Sequence, residues 1–129
     1  MKLLLDTHIL IWSYLVPEKI APRVGEALER TDNELWFSPV STWEIVLLLE
    51  KKRLGVSSKE DPFKWADRVV EGLREAPLNK HVAAMSRRLA FTHDDPADRF
   101  IAATAQVYGL TLVTNDARLL ELQDVQVLR

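Results

Sequence analysis

The unbroken apolar run Leu3-Leu4-Leu5, closed by Asp6, is the sequence feature that most restricts how this chain can fold. A strand with one face in water alternates apolar and polar residues, whereas a strand covered on both faces is apolar throughout. The run is therefore predicted to be a strand buried on both sides. Strands of that kind belong to parallel sheets with helices packed against both faces, which makes an α/β fold the first expectation.

The rest of the chain alternates helical patterns with short strand patterns. The dipeptides Ser38-Pro39, Asp61-Pro62 and Asp95-Pro96 each combine an N-cap residue with a proline suited to the first helical turn. Helices are predicted over residues 9–15, 21–30, 39–54, 79–90 and 96–108 and after residue 62, and strands over 3–5, 35–37, 77–78, 110–114 and 125–128. This alternation predicts βαβ units with right-handed crossovers, and so a three-layer α/β/α fold around a central, mainly parallel sheet.

The length of 129 residues fits one domain, so residues 1–129 are expected to fold as a single unit. The absence of cysteine excludes disulfides, thiolate metal sites and cysteine nucleophiles. No apolar run approaches the roughly 18 residues of a membrane span, and Asp6 precedes any signal-peptide core. A cytoplasmic protein without a membrane segment is therefore expected.

Four acidic residues are predicted to reach one edge of the sheet. Ligands of open parallel sheets bind beyond the carboxyl ends of the strands, and Asp6 and Asp116 follow two of the predicted strands. Glu44 and Asp98 each share a helix face with apolar residues, so both side chains are expected to point towards the sheet. This edge would then hold four carboxylates.

Carboxylates that are buried together repel one another and lose hydration, which raises their pKa values unless a cation compensates. Oxygen-only ligation, without cysteine or a histidine pair at helical spacing, suits Mg²⁺ or Mn²⁺ better than Zn²⁺. Such an ion can activate a water molecule and neutralise charge on a scissile phosphate. It would also let a chain of net charge −2 handle RNA. Metal-dependent hydrolysis of RNA phosphodiester bonds is therefore the preferred chemistry.

Four sequence segments surround these acids: Leu3-Leu4-Leu5-Asp6-Thr7-His8, Ser41-Thr42-Trp43-Glu44-Ile45, His93-Asp94-Asp95-Pro96-Ala97-Asp98-Arg99 with Ile101-Ala102-Ala103, and Leu112-Val113-Thr114-Asn115-Asp116. In this order and spacing they resemble the PIN-domain family, single-domain metal-dependent ribonucleases that include the VapC toxins of toxin–antitoxin pairs. The resemblance implies a parallel sheet flanked by helices, a homodimer and often a cognate antitoxin. It also implies metal-ligand or catalytic roles for Asp6, Glu44, Asp98 and Asp116.

Further residues near these acids are candidates for supporting roles. Thr7 and Thr114 are candidate hydroxyls behind the acids, and Arg99 and His93 are candidate phosphate contacts. Asp95 is open to two interpretations, because it could be an additional ligand or only the N-cap of the following helix.

The acids also have purely structural interpretations. Asp98 could complete a capping box, Asp6 and Asp116 could be ordinary loop acids, and Glu44 could pair with an arginine. A receiver domain is disfavoured because Thr7 follows Asp6 where that class needs a second acid, and a haloacid-dehalogenase-type phosphatase is disfavoured because His8 stands where it needs an aspartate. A non-catalytic binding module for nucleic acid or protein, built on the same fold, remains the alternative.

The first half of the chain holds more apolar residues than one sheet can cover. The helix predicted over residues 39–54 carries Trp43 and the run from Ile45 to Leu49, and Phe63 and Trp65 are aromatics expected to be exposed on the next helix. We therefore expect a dimer and, as for VapC-like proteins, an antitoxin segment packed on this surface.

Overall fold

A computed structural model of the chain describes residues 1–55, 59–91 and 95–129. Within these residues the strands are β1 (Lys2–Leu5), β2 (Glu34–Phe37), β3 (Arg74–Glu75), β4 (Thr111–Val113) and β5 (Val127–Leu128). They form one sheet in the order β3-β2-β1-β4-β5, and each neighbouring pair is parallel. The expected α/β class and its central parallel sheet are confirmed.

Helices occupy most of the connections between strands. They are α1 (Thr7–Leu15), a 3-10 turn (Pro17–Lys19), α2 (Pro22–Glu29), α3 (Pro39–Glu50), α4 (Pro62–Val69), α5 (Lys80–Arg88), α6 (Pro96–Tyr108) and α7 (Ala117–Leu120). The side chains of Ser38, Asp61 and Asp95 cap α3, α4 and α6 by accepting backbone N–H hydrogen bonds at 3.0–3.1 Å. The three start signals in the sequence are therefore confirmed. None of the helices among the described residues has both the length and the apolar character that a membrane crossing requires.

The apolar run in β1 is continuous because both faces of the strand are covered. Leu4 packs into a cluster formed with α5 and α6, whereas Leu3 and Leu5 pack into a second cluster formed with α1, α3 and α4. All three leucines are buried. Successive side chains of a strand point to opposite faces, so each face of the sheet needed its own apolar residue at this strand.

The short third strand lies at Arg74–Glu75, and the prediction of a strand at Pro77 and Leu78 was wrong. The last backbone contact on this side is the Ala76 N–H, which donates to the Phe37 carbonyl at 2.9 Å. Pro77 lies next in the chain, where its missing N–H costs nothing because the nitrogen of this position faces the open edge of the sheet.

Several boundaries also differ from the predictions. α3 ends at Glu50 instead of residue 54, because Lys52 adopts a left-handed φ of 55° and turns the chain before Gly55 is reached. α1 begins two residues before the predicted Ile9, and β5 is limited to Val127–Leu128. The 3-10 turn and α7 were not predicted.

Two glycines provide a matched test of the backbone. Gly109 ends α6 in the left-handed region with φ 66°, whereas Gly25 lies inside α2, and a Cβ at either position would meet no atom within 4 Å. We expect Gly109→Ala to lower the free energy of unfolding by about 1 kcal/mol. Gly25→Ala should raise it by about 0.5–1 kcal/mol, since it restricts only the unfolded chain. Urea denaturation measures both, and a Gly109→Ala protein as stable as the parent would contradict this account.

Candidate active site

The acidic residues meet where the strand order of the sheet reverses. β1 pairs with β2 on one side and with β4 on the other, and such switch points leave a crevice at the carboxyl ends of the strands. Asp6 directly follows β1, and its N–H donates to the Val113 carbonyl of β4 at 2.9 Å. A cavity of about 240 Å³ opens here, lined by Asp6, Thr7, His8, Trp12, Glu44, Asp95, Asp98, Asn115, Asp116 and Arg118. We call it the acidic cleft, and it brings all four predicted acids together.

Asp6 is buried and has a hydrogen bond on each carboxylate oxygen. The Thr114 hydroxyl donates to Oδ2 and the Thr7 N–H donates to Oδ1, both at 2.7 Å. Burial raises the pKa of Asp6 above its usual range, although these two donors act in the opposite direction. The hydroxyl of Thr114, which was a candidate for a supporting role, therefore contacts Asp6 directly.

Glu44 reaches the cleft from α3 and is held by Thr7, the first residue of α1. The Thr7 hydroxyl donates to Glu44 Oε1 at 2.6 Å and shares a second hydrogen bond of 2.8 Å with the Ser41 hydroxyl. Burial is the main cause that raises the pKa of Glu44, with further contributions from the charges of Asp6 and Asp95. Thr7 thus couples β1, α1 and α3 at the site.

Asp98 lies in the first turn of α6, and the pKa of its carboxyl is also raised. Burial, followed by repulsion from Asp95, Asp6 and Asp116, raises the pKa of Asp98 to about 7. Asp95 caps the same helix by accepting from the N–H groups of Ala97 at 3.1 Å and Asp98 at 3.5 Å. Asp95 therefore has a structural role and also lines the cleft, so its use as a ligand stays a prediction.

Arg118 is a residue of the cleft that the sequence analysis missed. Asp116 caps the short helix α7 by accepting from the Arg118 N–H at 2.9 Å. The Arg118 side chain then folds back, with Nε 3.2 Å from Asp116 Oδ1 and Nη2 2.9 Å from Asp116 Oδ2. Nη2 also lies 3.2 Å from Asp98 Oδ2. An arginine two residues after a predicted site acid was the available signal.

The two residues predicted to contact phosphate are Arg99, which the structure describes, and His93, which it does not. Arg99 Nη1 donates to the Ser86 carbonyl at 3.1 Å, and its guanidinium lies 5.0 Å from the centroid of the Phe91 ring. Adjacent helical residues project about 100° apart, and Arg99 is not among the described residues that line the cleft beside Asp98. His93 lies outside the described residues, and its role stays a prediction.

Comparison with known proteins identifies the family. A model of the PIN domain matches residues 3–125 of this chain. The chain belongs to the PIN-domain family. It is 33% identical to Ribonuclease VapC22 of Mycobacterium tuberculosis over 117 residues, which cover 90% of this chain and 88% of that protein. The resemblance stated from the sequence is therefore confirmed.

Solved structures of similar proteins share the fold along almost the whole chain. VapBC2 from Rickettsia felis, solved with a DNA fragment from its promoter, matches with a TM-score of 0.76 and 18% identity, covering 99% of this chain and 98% of that chain. FitAcB from Neisseria gonorrhoeae matches with a TM-score of 0.69 and 26% identity, covering 98% of this chain and 96% of that chain.

The donor set of this PIN domain fits a hard divalent cation. The cleft offers carboxylate oxygens, and the pKa values of Asp6, Glu44 and Asp98 are all raised, a penalty that a cation would remove. Among the described residues, no three acidic or histidine side chains already stand in an arrangement that could hold a metal ion. The Arg118 guanidinium lies between Asp98 and Asp116. Metal binding would thus require these side chains to shift.

The raised pKa of Asp98 predicts a pH-dependent stability. The carboxyl titrates at about 7 in the folded chain but near 3.8 when unfolded, so the folded state holds the proton more tightly and loses stability as pH rises from about 4 to 7. In EDTA, Asp98→Asn should therefore raise the free energy of unfolding at pH 8 by about 1 kcal/mol, after discounting for solvent screening, and by only about a third of that at pH 5.

Asp32→Asn is the matched control for this measurement. The pKa of Asp32 is lowered to about 2, mainly by its hydrogen bond with Arg30, so Asp32 stays charged throughout pH 5–8. Its substitution should change stability equally at the two pH values. If Asp98→Asn behaved in the same way, the raised pKa of Asp98 would be refuted.

Proposed function

We propose that this chain is a metal-dependent endoribonuclease and the toxin of a type II toxin–antitoxin pair. Mg²⁺ or Mn²⁺ would be held by Asp6, Glu44, Asp98 and Asp116. The observation that carries the proposal is the convergence of these four acids, from four different parts of the chain, in one cleft at the switch point of the sheet. The 33% identity to a ribonuclease of the same family supports the same activity.

A divalent cation bound in the cleft supplies an activated water and neutralises charge on the scissile phosphate. The chain's own residues hold the carboxylates ready for it. Thr114 and the Thr7 N–H fix both oxygens of Asp6, and the Thr7 hydroxyl fixes one oxygen of Glu44. Positioned acids require less reorganisation when the cation and the substrate bind.

The negative charge of the cleft explains why a substrate phosphate would need a cation in order to bind there. The chain has a net charge of −2, and the cleft concentrates acidic side chains, so RNA would be repelled from the site. A divalent cation held by these acids would offset part of this negative charge and so reduce the repulsion of the phosphate. The proposed place of action is the cytoplasm, where cellular RNA is found.

The nuclease proposal is tested by removing single charges. We expect Asp6→Asn and Asp116→Asn to lower cleavage of a mixed RNA panel by at least about 100-fold in Mg²⁺ or Mn²⁺, because each removes a proposed ligand. Circular dichroism should stay native-like, since the acids repel one another. The exposed pair member Asp32 provides the control, and Asp32→Asn should cleave like the parent.

Two outcomes would count against this assignment. Parental rates in either cleft variant, at matched metal concentration, would remove that acid from the active site. A parental protein that binds RNA but leaves it intact with either metal would favour the non-catalytic binding module.

An antitoxin is the proposed protein partner. Trp43 on α3 and Phe63 on α4 are 60% and 68% exposed, whereas Trp65, which was expected to be exposed, is buried. α3 and α4 pack in one apolar cluster through Ile45 and Trp65, so the two exposed aromatics lie on adjoining helices. Exposed aromatics are typical anchors of protein interfaces. Two of the structures that this fold matches are described as a member of the VapBC family of toxin–antitoxin systems, from Mycobacterium tuberculosis, and as a toxin–antitoxin complex, from Klebsiella pneumoniae. These descriptions support the same partnership here.

Co-purification tests the partnership. We expect the chain to be a homodimer by light scattering and to retain the product of the adjacent open reading frame. Trp43→Ser should weaken that retention at least about tenfold, because buried tryptophans dominate interface energies. Leu78→Ser, which changes a 45% exposed leucine elsewhere, should not. A strict monomer at micromolar concentration that retains no neighbour would exclude the toxin–antitoxin proposal but leave the nuclease proposal intact.

A further inference from the structure

One guanidinium nitrogen lies between two of the four acids of the cleft. Arg118 Nη2 is 2.9 Å from Asp116 Oδ2 and 3.2 Å from Asp98 Oδ2. The two carboxylates belong to different parts of the fold, because Asp98 is on α6 and Asp116 follows β4. Arg118 thus connects across the cleft two groups that would otherwise only repel each other.

A divalent cation would need the same oxygen atoms. Mg²⁺ binds carboxylate oxygens at about 2.0–2.1 Å and demands a nearly fixed geometry. A carboxylate lone pair that accepts a hydrogen bond from the guanidinium is not available to a metal at the same time. The two cations are therefore alternatives at Asp98 and Asp116.

The Arg118 side chain is placed so that it can withdraw. It is 52% exposed, and α7, which carries it, is only four residues long. The buried member of that helix is Leu119, so the apolar anchor of α7 is separate from the guanidinium. Rotation of the side chain into solvent would leave the packing of the core unchanged.

We propose that Arg118 is the resident counter-ion of the acidic cleft and competes with the divalent cation for Asp98 and Asp116, so that metal binding requires its guanidinium to leave. The inference rests on the proposed function in one respect, namely that the cleft binds a divalent cation. It assigns to Arg118 a positioning role at the two acids in the metal-free state.

The test measures metal affinity directly instead of activity. Mn²⁺ binding to the full-length chain is followed by electron paramagnetic resonance of the free ion and by calorimetry. We expect Arg118→Gln to bind Mn²⁺ about two- to fivefold more tightly than the parent, the range that a half-exposed ion pair supports. Arg118→Lys keeps the charge but loses the planar fork, and it should give an intermediate affinity.

Arg30→Gln is the matched control. Arg30 also pairs with an aspartate two positions away, at 2.8 Å from Asp32, and its side chain is 65% exposed. Its removal changes the net charge by the same amount but outside the cleft. We expect the parental Mn²⁺ affinity, and equal tightening in both glutamine variants would show that net charge, and not competition, is responsible.

The outcomes separate this inference from the proposed function. If the parent binds Mn²⁺, Asp98→Asn weakens that binding, and Arg118→Gln binds no more tightly than the parent, the competition is refuted and the metal site stands. Weaker binding by Arg118→Gln would likewise overturn the inference, because Arg118 would then assist the metal. If neither the parent nor Arg118→Gln binds Mn²⁺, the inference and the proposed metal site fail together.

Discussion

Hydrogen bonds between the ends of β1 and β4 position Asp6 and the start of α1 at the acidic cleft. The Asp6 N–H donates to the Val113 carbonyl, and the Thr114 hydroxyl donates to the Asp6 carboxylate. These contacts require the two strands to be neighbours in parallel register, which the apolar coverage of both sheet faces stabilises. α1 then starts at Thr7, and the Thr7 hydroxyl donates to Glu44 on α3.

This arrangement has an electrostatic cost, because it buries carboxylates close to one another. Burial raises the pKa of Asp6 and of Asp98, and each acid that joins the cleft makes its neighbours harder to ionise. A core built for stability alone would not place carboxylates here, and such departures from local stability are typical of functional sites. The threonine hydroxyls, the helix termini and Arg118 offset part of the cost from within the chain.

The sequence predicted the features that depend on short-range patterns. The apolar periodicity of the helices and the N-caps at Ser38, Asp61 and Asp95 placed the elements, and strand ends together with helix faces placed the four acids on one edge. Features that depend on three-dimensional contacts were missed or misplaced. The position of the third strand depends on its pairing with β2. Arg99 was predicted to contact phosphate because it follows Asp98 in the chain, but its position on the helix directs its side chain towards Ser86.

Arg118 shows most clearly why the remainder could not be read from the sequence. Its position two residues after Asp116 points to the cleft but not to the contact with Asp98, which lies twenty positions earlier in the chain. That contact forms because α6 and the β4–α7 connection converge at the switch point. A half-exposed ion pair contributes at most about 1 kcal/mol, whereas a divalent ion interacts with several carboxylates at once and carries twice the charge. The resident cation can therefore stabilise the acids without preventing a stronger ligand from binding to them. The negative charge that attracts Arg118 into the cleft would equally attract any other cation, including a basic side chain of the proposed antitoxin. Metal, substrate and partner would then be coupled through the occupancy of this one cleft.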